Sequence, residues 1–124
     1  MLFRRHLLAF GLLACLWPEA AGAHALLLSS DPTAGAAVGG PDIALTLRYN
    51  SRVDADRSRL TLNGPDGKSR PLAVGRGESP SILASRADGL SAGRYTLRWE
   101  VLSVDGHISR GDLPFSIVPQ QSRQ

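Results

Sequence analysis

From residue 43 onward the chain alternates. Ile43, Leu45, Leu47 and Tyr49 are separated by Ala44, Thr46 and Arg48, a period of two that predicts a half-buried β-strand. The alternation is cleaner still where Tyr95, Leu97, Trp99 and Val101 are set against Arg94, Thr96, Arg98 and Glu100. Leu113, Phe115 and Ile117 predict a closing strand, with Pro114 marking an edge or a bulge. Shorter runs predict strands over residues 24–30, 59–63, 68–74 and 81–85. Gly64-Pro65-Asp66-Gly67 supplies turn chemistry for a hairpin joining two of them. Residues 31–41 and 75–79 read as loops, and the polar residues 50–57 leave room for one helical turn. No segment carries a helical period. About seven short strands without helices predict one all-β domain. The expected form is an antiparallel β-sandwich or Greek-key barrel, immunoglobulin-like or cupredoxin-like. Trp99 is the expected core anchor. Tyr95, following Leu90-Ser91-Ala92-Gly93, is placed as a tyrosine-corner residue would be.

The first 23 residues follow a different rule. Arg4 and Arg5 precede a short apolar run over residues 7–16, Pro18 ends it, and Ala21-Gly22-Ala23 fits small-residue cleavage. The run is shorter than the roughly 20 residues a spanning helix needs. Residues 1–23 are therefore expected to be a signal peptide, removed on export to the periplasm. The domain is expected over residues 24–118, with 119–124 a disordered tail. Nothing later in the sequence predicts a membrane span.

Cleavage changes the chemistry available. The single cysteine, Cys15, and the single methionine, Met1, both leave with the signal. The exported chain then has no disulfide, thiolate or thioether, and any metal it holds must be bound through nitrogen and oxygen. Charge is nearly balanced, with 14 Lys and Arg against 11 Asp and Glu. The arginines are scattered, so neither a nucleic-acid stripe nor a polybasic membrane patch is present, and a monomer is expected.

Of the three histidines, His6 falls in the signal, leaving His24 and His107. Cleavage before His24 gives one residue both a free amine and an imidazole, which can chelate one ion in a six-membered ring. Asp105 and His107 are two apart around Gly106, a spacing that puts both side chains on one side of an extended segment. Together His24, Asp105 and His107 offer three nitrogens and a carboxylate oxygen. That set suits tetragonal Cu(II), which heads the divalent affinity series for such donors.

The processed sequence resembles the CopC family of periplasmic copper-resistance proteins. The resemblance runs through His24, Ser29-Ser30-Asp31-Pro32 with Gly35 and Val38, and Leu90, Gly93, Tyr95 and Trp99. It continues along Val101-Leu102-Ser103-Val104-Asp105-Gly106-His107 and ends on Phe115-Ser116-Ile117, covering nearly all of residues 24–118. It implies a small β-barrel or sandwich binding one Cu(II) through His24 amine and ring, Asp105 and His107. It also implies a non-catalytic role in copper sequestration or carriage, with an inner-membrane transporter of the CopD type as partner. Some members add a methionine-rich Cu(I) site. No methionine or spare histidine remains here, so no Cu(I) site is expected. Where many members have a Ser-Glu-Pro-like stretch after the second strand, this chain has Arg48-Tyr49-Asn50-Ser51-Arg52.

Two other classes compete. One is an N-terminal-histidine copper oxidative enzyme, like the lytic polysaccharide monooxygenases. An anionic Asp105 on the ion would favour Cu(II) and disfavour oxygen activation. The other is a metal-free immunoglobulin-like interaction module, in which His24 and His107 are incidental.

Overall fold

The computed structural model describes residues 24–120, and the expected leader and residues 121–124 of the expected tail lie outside them. Nine strands form in chain order: β1 (Leu27–Asp31), β2 (Ala37–Gly39), β3 (Ile43–Tyr49), β4 (Val53–Asn63), β5 (Ser69–Leu72), β6 (Gly75–Arg76), β7 (Ile82–Ala87), β8 (Gly93–Ser103) and β9 (Ile108–Val118). They pack as a sandwich of two sheets, one ordered β1-β3-β7-β6 and the other β2-β9-β8-β4-β5. Among the described residues no helix is long and apolar enough to cross a membrane.

The alternating residues meet between the sheets. Leu45, Leu47, Tyr49 and Leu83 come from one side, and Leu60, Leu62, Leu97, Trp99, Val101, Leu113 and Phe115 from the other. Trp99 anchors this core, meeting Tyr49 edge to face with ring centroids 5.4 Å apart. Tyr95 stacks on Phe115 and donates its hydroxyl hydrogen to the Ser91 carbonyl at 2.8 Å, the tyrosine-corner bond its position predicts.

Several elements differ from the sequence expectation. Residues 53–57 do not form a helical turn; they begin the long strand β4. Its inward phase slips, with Val53 and Ala55 buried first and then Ser58, Leu60 and Leu62. A register shift between Asp54 and Arg59 absorbs the slip. The buried Ser58 hydroxyl satisfies the irregular backbone there, donating to the Asp54 carbonyl at 2.6 Å and accepting from the Leu102 amide at 3.3 Å.

The sandwich is not wholly antiparallel, because β2 pairs with β9 in parallel. The loop expected over residues 75–79 contributes the two-residue strand β6, held to β7. Along β9, Pro114 gives its carbonyl to the Gly35 amide at 2.7 Å, beyond the end of the β2 pairing. Its missing N–H thus faces the side where the ladder has already stopped, as at an edge. The first strand begins at Leu27 rather than at residue 24, so His24, Ala25 and Leu26 lead into it as a separate segment. That segment and the hairpin between β8 and β9 occupy the same end of the sandwich.

Candidate metal centre

The β8–β9 ladder runs to the pair Leu102 and Ile108, then closes through a tight turn. The Ser103 amide donates to the His107 carbonyl at 2.8 Å, and the Gly106 amide to the Ser103 carbonyl at 2.9 Å. Gly106 sits at φ +92, left-handed backbone that a side chain rarely tolerates. The glycine between the two candidate ligands is therefore what lets the chain turn between them. Val104 ties the turn to the start of the adjacent strand β4 in the same sheet, its amide donating to the Arg52 carbonyl at 3.3 Å.

Asp105 and His107 end on the same side of this turn. Their side chains remain 42% and 52% exposed, open to an ion from solvent. Asp105 Oδ1 accepts from the His107 amide at 3.3 Å and lies 3.3 Å from His107 Nδ1. The same oxygen accepts a hydrogen bond from the Ser103 hydroxyl. The Ser103 bond, aided by the His107 amide and ring, holds the Asp105 carboxyl below its ordinary range, against an opposing desolvation. With Asp105 turned toward Nδ1, the opposite ring nitrogen of His107 is left as the natural donor to a metal.

His24 arrives from the other end of the described chain. Its ring meets that of His107 edge to face, with centroids 5.5 Å apart and planes at 71°. The three predicted residues thus gather at one end of the sandwich. The His24 and His107 rings meet edge to face, and Asp105 Oδ1 lies beside His107 Nδ1. Among the described residues, no three His, Cys, Asp or Glu side chains are drawn close enough to make a metal cage by themselves. The carboxylate is engaged by Ser103 and His107.

Three neighbours carry weight that the sequence reading did not assign. Ser103 is 2% exposed and props the Asp105 carboxylate from inside the sheet. Ser109 accepts the Ala25 amide at 3.1 Å, and Asn50 Oδ1 accepts the Leu26 amide at 2.8 Å. The only advance signal was for Ser103, a hydroxyl on the same inward phase as Trp99 and Val101, where a buried polar group needs a partner.

Comparison with known proteins identifies the family to which the sandwich belongs. The chain is 34% identical over 98 residues to Protein YobA of Escherichia coli strain K12, covering 77% of this chain and 79% of that one. It is 34% identical over 103 residues to Copper resistance protein C of Escherichia coli, covering 77% and 82%. The crystal structure of CopC from Methylosinus trichosporium OB3b matches with a TM-score of 0.73 and 27% identity, over 82% of this chain and all of that one. A family model described as the CopC domain matches residues 27–118, the whole sandwich from β1 to β9, and the chain belongs to the CopC family.

Proposed function

We propose that this protein is a periplasmic carrier or buffer for copper that binds one Cu(II) ion as cargo and catalyses nothing. Membership of a family whose relatives include Copper resistance protein C supports the copper assignment. The single observation that carries the site is the approach of His24 to His107, two rings from opposite ends of the described chain with centroids 5.5 Å apart.

Once residues 1–23 are removed, His24 offers its amine as well as its ring, and His107 adds a second imidazole. Asp105 supplies negative charge. It orients His107 through Nδ1, or it swings from Ser103 to become an oxygen ligand. These hard and borderline donors favour Cu(II) over Cu(I). The side chains stand open at the end of the sandwich, which suits an ion that must be handed on. Leu26, Val104 and Ile108, the apolar neighbours of the ligands in sequence, are exposed at 60%, 68% and 49%. They give a receiving protein, such as an inner-membrane transporter of the CopD type, apolar surface to cover.

The test is Cu(II) titration of the protein beginning at His24 beside the same protein extended by one N-terminal residue. The processed form should bind one ion far more tightly, because only it carries the amine chelate. Equal affinity would overturn the reading.

A further inference from the structure

The segment that carries His24 belongs to neither sheet, yet it is fixed by both. Past the last rung of the β1–β3 ladder, Leu27 with Tyr49, the chain runs on to Leu26 and Ala25. Asn50 donates its amide to the Leu26 carbonyl at 3.0 Å, as a further rung would. The reciprocal bond is made by a side chain, with the Leu26 amide donating to Asn50 Oδ1 at 2.8 Å. One residue earlier the Ala25 amide donates to the Ser109 hydroxyl on β9, 3.1 Å away in the opposite sheet. Successive amides are thus taken by side chains from the two sheets. The Ala25 methyl is packed in the core between them, 2% exposed.

Ser109 is two residues beyond His107, so the group that fastens Ala25 and the candidate ligand lie on the same stretch of chain. This is what aims the His24 ring at the His107 ring. From these bonds we propose that Asn50 and Ser109 are positioning residues for the metal centre, a two-sided clamp on the first residues of the exported chain. The proposal rests on the Cu(II) reading above. An unclamped terminus must lose its backbone freedom when the ion binds, whereas a clamped one has lost it on folding. Side chains that orient metal ligands without touching the ion cost about 10–100-fold in affinity when removed.

The test uses protein beginning at His24, with Asn50→Ala, Ser109→Ala and Ser109→Thr. Two quantities are read: amide hydrogen exchange at Ala25 and Leu26 without metal, and Cu(II) affinity by competition with a chelator. Asn50→Ala should speed exchange at Leu26, and Ser109→Ala at Ala25. Each should weaken Cu(II) by about ten-fold or more. Ser109→Thr keeps the hydroxyl and should restore both. Asn50 is exposed, so Asn50→Ala carries the test even if Ser109→Ala does not fold. Unchanged exchange at both amides, or faster exchange with unchanged affinity, would overturn the clamp. Failure of the copper reading shows differently, as wild-type protein without Cu(II) affinity, and the clamp then falls with it.

Discussion

The Ser103 hydroxyl, buried at the end of β8, donates to the carboxylate of Asp105 two residues on. It therefore fixes the one negative charge among the candidate ligands. Asp105→Asn keeps the shape and removes the charge. It should weaken Cu(II) by about 10–100-fold and raise the reduction potential of the bound ion, since the oxidised form gains most from an anion. Competition titration and voltammetry read the two effects. An unaltered potential would mean that the carboxylate does not act on the ion.

The core makes a separate demand on β9. Gly111 pairs with Trp99 across the β8–β9 ladder, and a Cβ at residue 111 would overlap the Trp99 ring at Cζ2 and Cε2. Gly111→Ala must push the indole off its place against Tyr49. It should destabilise the fold by about 1–3 kcal/mol, the usual cost of overpacking. Urea denaturation followed by Trp99 fluorescence measures it. Wild-type stability would mean that the indole shifts freely.

Tyr49 predicts an alkaline limit. Its hydroxyl is buried with no hydrogen-bond partner among the described residues, and burial pushes its pKa well above the ordinary 10.0. The folded state holds the phenol neutral at a pH where the unfolded chain ionises it. The contribution is complete below about pH 10 and is lost as pH rises past that point. Tyr49→Phe should cost little at pH 7, because it removes an unsatisfied polar atom, and should flatten the loss of stability above pH 10. Denaturation midpoints at pH 7 and pH 11 decide it. Parallel losses in both proteins would show that another group sets the limit.

The sequence spoke most clearly where side chains alternate without interruption. Strands β3 and β8, the apolar positions of β9 and the tyrosine corner could all be read because each inward residue is large and apolar. In β4, a buried serine at the register shift breaks the phase and charged residues crowd the run, so its first half looked like a polar stretch with room for a helical turn. Strands β2 and β6 exist only through pairing with β9 and β7, since neither Ala37-Val38-Gly39 nor Gly75-Arg76 has a pattern of its own. The candidate ligands stood out because histidine is scarce in this chain. Ser109 and Asn50 did not, because serine and asparagine are common surface residues and these two act on segments distant in sequence, whereas Ser103 could be read only as an inward hydroxyl in need of a partner.

His107 gives the most discriminating substitution. It touches the ring of His24 and the carboxylate of Asp105, so it joins the two halves of the proposed site. His107→Ala removes a nitrogen donor and the Asp105 contact at its ring. Cu(II) affinity should fall beyond the roughly 100-fold that an outer orienting residue costs. The fold should change by no more than about 0.5 kcal/mol, because the side chain is half exposed and the turn is closed by its backbone carbonyl, which alanine retains. Cu(I) should bind the wild type weakly and be little affected by the substitution, since no cysteine or methionine follows residue 23 to select the softer ion. Competition assays with Cu(II) and Cu(I) chelators on the protein beginning at His24, beside its thermal midpoint, separate these outcomes. Undiminished Cu(II) affinity in His107→Ala would remove the facing histidines as the basis of binding. A Cu(I) site as tight as the Cu(II) site would show that the donor set has been misread.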